Sequence, residues 1–254
     1  MENFIVSARK YRPTQFDSVV GQSHITTTLK NAIKSNHLAQ AFLFCGPRGV
    51  GKTTCARILA KTINCENIGT DGEACGTCPS CQSFQDNTSL TIHELDAASN
   101  NSVDDIRNLI DQVRYPPQRG RYKIYIIDEV HMLSAAAFNA FLKTLEEPPS
   151  YAIFILATTE KHKILPTILS RCQTVEVPRI DDESLGKALM GKYKITDDKL
   201  QEVFHQSQGN FNTAEKILTT ENASDEILET VAYEGESPQR FVEKQESFKM
   251  VEIG

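Results

Sequence analysis

No apolar run in the chain approaches the roughly 20 residues that cross a bilayer. The N-terminal stretch "MENFIVSARKYRP" has no apolar core followed by a small-residue cleavage site, so a secretory leader is not expected there. A cytoplasmic protein without membrane contact is the resulting expectation. No internal repeat and no low-complexity tract is visible, so a repeat array is not expected. Neither half is basic enough to mark nucleic-acid binding by charge alone. The net charge is −6; residues 1–180 carry 19 Lys+Arg against 17 Asp+Glu, or +2, and residues 181–254 carry 8 against 16, or −8. The front part can face an anion that the acidic rear would repel. What is present, 254 residues at 40% hydrophobic and 24% charged, suits a globular chain with one large or two small domains.

Five short apolar runs, rich in β-branched or aromatic residues, read as buried strands: "AFLFC" (41–45), "TIHEL" (91–95), "YKIYII" (122–127), "AIFILA" (152–157) and "TVEV" (174–177). Helical patterns separate them. "TTLKNAIKS" precedes the first strand and "KTTCARILAKTI" follows it. "SVDDIRNLIDQV" opens with a capping signature, Ser102 and then Asp105, and "SAAAFNAFLKTLEE" stops at Pro148-Pro149. Alternating strands and helices predict an α/β fold built on a mostly parallel sheet covered on both faces. Beyond about residue 179 the strand signals end. "DDESLGKALMGKY", "DDKLQEVFHQS" and "FNTAEKILTT" predict three short helices, two of them opened by Asp pairs.

"GPRGVGKT" (46–53) fits the phosphate-loop pattern and lies between a predicted strand and a predicted helix. Gly46, Gly49 and Gly51 let the backbone N–H groups of Gly46 and of Arg48 to Thr54, with Val50 among them, wrap a phosphate, while Pro47, which has no N–H, shapes the turn. Lys52 would reach the β- and γ-phosphates of a nucleotide, and Thr53 would put its hydroxyl on Mg²⁺. "KIYIIDEVH" delivers Asp128 and Glu129 to a strand end, where open α/β sheets bind their ligands. Asp128 would hold the Mg²⁺ through its water shell, and Glu129 would orient the attacking water. "FILATTE" ends a strand in Thr158-Thr159, either of which can sense a γ-phosphate, and "SRC" offers Arg171 as an arginine finger. "CENIGTDGEACGTCPSC" (65–81) sets four cysteines in seventeen positions, twelve residues after the loop; Cys45, Cys55 and Cys172 fall in apolar patterns and read as core.

Taken together, the stretches "KYRPTQFDSVVGQ" (10–22), "AFLFCGPRGVGKTTCARILAKTINC" (41–65), "ELDAASNNSVDDIR" (94–107), "IIDEVHMLS" (126–134), "FLKTLEEPP" (141–149) and "LPTILSRCQ" (165–173) resemble the AAA+ clamp-loader family, nearest to the gamma/tau subunits of bacterial DNA polymerase III. The resemblance covers roughly residues 3–173. It implies an AAA+ P-loop NTPase module at 1–178 with a parallel five-stranded sheet, a zinc knuckle inserted at about 62–84, a three-helix lid at 179–220 and an acidic tail at 221–254. It also implies an ATPase, using ATP to place a sliding clamp on primed DNA, with Thr159 as sensor and Arg171 acting on ATP held by a neighbouring subunit. Arg12, Val20 and Gly21 match the segment that borders the adenine. Cys65, Cys75, Cys78 and Cys81 match the zinc ligands; four thiolates suit a closed structural Zn²⁺ site, and a disulfide framework is the competing reading. The implied partners are other clamp-loader subunits in a hetero-oligomeric ring, the sliding clamp, and primed DNA through sequence-independent backbone contacts. The polar approach to a helix at 98–107 is the candidate DNA-phosphate contact. No polymerase active site is expected.

The pattern breaks in two places. The family's lid arginine, which touches the γ-phosphate, is Asn212 here, with Lys216 one turn later. The roughly 34 residues after the lid are too few for the collar domain that usually follows. These departures motivate a second hypothesis, a non-hydrolysing ATP- and zinc-binding assembly module. Beyond about residue 174 the chain is more similar to delta-prime subunits.

Overall fold

The computed structural model describes residues 12–219 apart from Lys194, so the expected tail at 221–254 lies outside the described residues. Strands β1 (Ala41–Cys45), β2 (Ile92–Asp96), β3 (Lys123–Asp128), β4 (Ala152–Thr158) and β5 (Gln173–Glu176) form one sheet in the order β2-β3-β4-β1-β5, and each pairing is parallel. The expected strands are found with shifts of about one residue. Parallel strands carry crossover helices on both faces, so the central ones have no wet side. All five residues of β1 and all seven of β4 are buried accordingly. The edge strand β5 is largely exposed.

Alternate side chains divide between two core layers. Phe42, Phe44, Ile124, Ile126, Ile153 and Ile155 pack with Ile25 and Leu29 of α1 (Ser23–Lys34) and Leu59 and Ile63 of α2 (Lys52–Ile63). A short helix, α3 (Pro79–Gln85), adds Phe84 to that layer. Leu43, Tyr125, Ile127, Phe154 and Leu156 face the other way, against Ile106 and Leu109 of α4 (Val103–Val113) and Phe138 and Phe141 of α5 (Ala135–Glu146). Each of the last two helices begins on a serine cap. Ser102 Oγ accepts the Asp105 N–H at 3.1 Å while the Asp105 carboxylate accepts the Ser102 N–H, and Ser134 Oγ accepts the Ala137 N–H at 3.2 Å. A single-turn helix, α6 (Pro166–Leu169), leads into β5.

Three helices follow the sheet: α7 (Asp182–Lys192), α8 (Asp197–Ser207) and α9 (211–219). They close a third core of Leu185, Leu189, Leu200, Val203, Ala214 and Leu218, with Ile180 and Val20 packed into it. Asp181 caps α7 by accepting the Ser184 N–H at 2.7 Å. None of the helices in the described residues is long and apolar enough to cross a membrane.

Gly191, inside α7, has open space where a Cβ would stand. Gly191→Ala is expected to raise stability by up to about 1 kcal/mol through helix propensity alone. Urea unfolding of the two proteins checks this; equal or lower stability for the variant contradicts it.

Candidate functional site

Parallel register decides where the polar residues gather. Cys45 pairs with Thr158 and Asp96 with Asp128, so β1, β2, β3 and β4 all end on the same edge of the sheet. The loop 46–51 leaves β1 at that edge and turns into α2. Gly46 admits no side chain, because a Cβ there would lie 2.0 Å from the Val177 carbonyl oxygen. Gly51 caps α2 at φ +100°, a left-handed conformation that suits glycine. Val50 anchors the loop by packing in the first core layer.

Lys52 follows, nearly buried, and its Nζ donates to the Pro47 carbonyl at 2.6 Å. Burial lowers its pKa, opposed by the carboxylates of Glu129 and Asp128. Thr53 Oγ1 donates to Asp128 Oδ2 at 2.6 Å, and Asp128 Oδ1 accepts the Glu129 N–H at 3.0 Å. Glu129 itself sits at φ +46°, unusual for a residue with a side chain and typical of functional sites that hold strain. The left-handed turn takes Glu129 out of strand alternation. Its Oε2 then accepts a hydrogen bond from Thr159 Oγ1 at 3.1 Å. Thr158, the other sensor candidate, is fully buried and faces His131 Nδ1 at 3.1 Å.

These groups border a cavity of about 300 Å³ lined by Arg12, Arg48, Gly49, Lys52, Thr53, Thr54, Asp128 and Glu129. Asp96, Ala98 and Asn212 also line it. Lys216, one turn after Asn212, is not among the residues that line it. Val20 and Gly21 lie outside this cavity. Val20 packs on the third core, and a Cβ on Gly21 would fall 2.5 Å from Ile180 Cγ2. Arg171 is also elsewhere: it ion-pairs with Glu146 at 2.7 Å and donates to the Thr167 carbonyl at 2.7 Å. At the 98–107 approach, the Ser102–Asp105 cap and the acidic pair Asp104-Asp105 occupy the first turn of α4.

Three residues that the motifs passed over join these parts. Buried Gln22 donates from Nε2 to the carbonyls of Pro178 at 2.8 Å and Val50 at 3.4 Å. Asn210 donates to the Arg48 carbonyl at 3.3 Å and fills the space a Cβ on Gly49 would need. His131 lies 3.4 Å from Glu129 Oε2 and 3.5 Å from Glu160 Oε1. Gln22 and His131 stand inside the quoted stretches "KYRPTQFDSVVGQ" and "IIDEVHMLS"; Asn210 bridges to a position far away in sequence and had no local signal.

The four cysteines of the knuckle converge. The Sγ atoms of Cys65, Cys75, Cys78 and Cys81 lie within 4.8 Å of one another, with Cys65 and Cys75 at 3.5 Å. Tetrahedral Zn–S bonds of about 2.3 Å require S···S edges near 3.8 Å, so the donor set fits such an ion. None of the four is joined in a disulfide in this structure. The Cys75 N–H donates to Cys65 Sγ and the Cys78 N–H to Cys75 Sγ, both at 3.3 Å. N–H donors from Thr77 and Cys78 bring the Cys75 thiol down to about 6, whereas burial pushes Cys65 and Cys81 up. Cys45 and Cys55 are buried in the core, and Cys172 is half-buried against it.

Residues 21–181 match the family described as DNA polymerase III, delta subunit. The chain belongs to this family. Its curated relatives carry the gamma/tau names that the motifs resemble. The tau subunit of Bacillus subtilis is 53% identical over 177 residues, which is 70% of this chain and 31% of that protein. The tau subunit of Escherichia coli is 49% identical over 187 residues, 74% of this chain and 29% of that one. The gamma subunit of Buchnera aphidicola is 40% identical over 221 residues, 85% of this chain and 61% of its own length. The chain thus spans about a third of the first two. Among solved structures, the Thermotoga maritima RuvB Holliday junction branch migration motor aligns at TM-score 0.56 and 20% identity. The alignment covers 87% of this chain and 72% of that one, and it shows a shared fold alone.

The thiol centre is checked with cobalt. One Co²⁺ per chain is expected to produce thiolate-to-metal charge-transfer absorbance, sharply weakened by Cys81→Ser. A titration without that band contradicts a four-thiolate centre.

Proposed function

We propose that this family member is an ATP-hydrolysing subunit of a DNA polymerase III clamp loader. The observation that carries this reading is the hydrogen-bonded run Thr53–Asp128–Glu129–Thr159 beside buried Lys52. A chance glycine turn would not place a lysine, a hydroxyl and two carboxylates around one cavity.

Each residue then has a role. The loop 46–51 supplies backbone N–H groups to the phosphates. Lys52 exchanges the Pro47 carbonyl for phosphate oxygens of the nucleotide. Thr53 and Asp128 are two adjacent oxygen donors of the hard type that Mg²⁺ takes. When bound, Mg²⁺ would neutralise charge on the β- and γ-phosphates. Glu129 accepts a hydrogen bond from the attacking water, and Thr159 holds the Glu129 carboxylate in place and reads the γ-phosphate. Arg12, Val20 and Gly21 border the adenine. Arg171, paired within its own chain and away from its own cavity, reaches the nucleotide of a neighbouring subunit. The thiol knuckle holds Zn²⁺ as a structural ion.

The rest follows the family: a module at 1–178, a helical lid at 179–220, a cytoplasmic hetero-oligomeric ring, a sliding clamp, and primed DNA bound by its backbone. Asn212 bears on rate. Without the lid arginine, charge growing on the γ-phosphate is left to the cations at the cavity, Lys52 first, and to Arg171 in trans. Turnover by the isolated chain is therefore expected to be slow.

Steady-state ATP hydrolysis, with and without partner subunits, clamp and primed DNA, tests this. Turnover should rise with the partners. Lys52→Ala should remove it, and Arg171→Ala should lower it on the order of 10³-fold while ATP binding persists. Binding without turnover above the Lys52→Ala background, even in the assembled ring, would favour the non-hydrolysing docking module.

A further inference from the structure

Glu73 lies in the knuckle between Cys65 and Cys75, yet its carboxylate points out of it. The residue is only 5% exposed. Oε2 accepts the Phe16 N–H and Oε1 the Asp17 N–H, each at 3.0 Å. Lys30 Nζ completes the pocket at 2.8 Å from Glu73 Oε1 and 2.7 Å from Asp17 Oδ1. A carboxylate that takes two successive backbone N–H groups and an ammonium has the satisfied, charge-assisted geometry that makes a buried charge tolerable. The loop around Glu73 is shaped to present it. Gly72, at φ +83°, lies against Lys30 and Lys34, and the Glu73 N–H donates to Asp71 Oδ1 at 3.1 Å.

The segment it grips links the nucleotide cavity to the phosphate loop. Arg12 lines that cavity at one end. At the other end Gly21 abuts Ile180 and Gln22 bonds the Val50 and Pro178 carbonyls. Midway, Phe16 is buried in the same core layer as Val50 of the phosphate loop, with Val19 packed beside it. Glu73 holds the first two residues of the 3-10 turn Phe16–Ser18, between the two ends. The knuckle has almost no core of its own: its buried cluster is its four cysteines and Ala74. The thiol centre is therefore what keeps the 66–74 loop, and Glu73 with it, in one place.

We propose that Glu73 is a positioning residue through which the metal-bound knuckle holds segment 12–22 against the phosphate loop and Arg12 at the nucleotide cavity, so that metal loss weakens nucleotide binding. This rests on the nucleotide reading of that cavity. It also explains why a metal knuckle directly follows a phosphate loop: α2 carries the chain from one to the other, and Glu73 returns to the segment that bonds the loop.

The test is equilibrium binding of a fluorescent N-methylanthraniloyl-ATP to the full chain, zinc-loaded or chelated, with zinc content measured in parallel. Chelation should weaken wild-type binding about tenfold. Zinc-loaded Glu73→Ala, retaining one zinc per chain, should show the same loss, and chelating that variant should add less than about twofold. Glu73→Gln, which keeps acceptor oxygen and volume, should lie between, and it carries the test if Glu73→Ala does not fold. Wild-type-like affinity in zinc-loaded Glu73→Ala or Glu73→Gln overturns the link. So do chelation and substitution effects that multiply. Wild-type zinc-loaded protein that takes up no nucleotide overturns the nucleotide site itself, and the link with it.

Discussion

The parallel register of β2, β3, β4 and β1 is the constraint on which the candidate site depends. Because Asp96 pairs with Asp128 and Cys45 with Thr158, each strand delivers its last residue to the same edge. The loop from β1 and the acidic end of β3 then face each other closely enough for Thr53 to bond Asp128 directly. A slip of one residue between β3 and β4 would send every side chain of the slipped strand to the opposite core layer. The two core layers forbid that slip, since Tyr125 and Ile126 belong to opposite layers.

Around that edge the fold adds ties that a bare sheet would not supply. Glu129 leaves strand geometry for a left-handed conformation and is steadied there by Thr159 and His131. The helices after the sheet reach back through Asn210 to the Arg48 carbonyl and through Ile180 to Gly21. The knuckle reaches back through Glu73. The loop from β1, the helices after the sheet and the knuckle thus share one strip of chain, residues 12–22, as their common contact. Under the proposed link, that shared strip accounts for a thiol centre lying so near the loop from β1.

Much of this was legible in the sequence, for identifiable reasons. Strands β1, β3 and β4 are buried on both faces, and burial leaves continuous apolar runs that stand out from amphipathic helices. Ser102 with Asp105 marked a helix start because capping chemistry is local. The glycines, Lys52 and Thr53 were legible because a phosphate loop is one contiguous turn. What stayed hidden are partnerships across long stretches of chain: Phe16 with Glu73, 57 residues apart; Gln22 with Pro178, 156 apart; Arg48 with Asn210, 162 apart. No periodicity or spacing encodes such pairs. Thr158 and Thr159 were indistinguishable in sequence, but alternation at the end of β4 buries one and turns the other to Glu129.

Glu129→Gln offers the most direct measurement, because it changes one oxygen at the centre of the site and leaves the loop and Lys52 untouched. Single-turnover ATP hydrolysis would be compared with equilibrium ATP binding in the assembled ring. The account predicts binding within about twofold of wild type and a hydrolysis rate at least about 10²-fold lower, since only the group that orients the water is lost. Unchanged hydrolysis in Glu129→Gln would contradict it, showing that the sheet edge binds a nucleotide without supplying the chemistry.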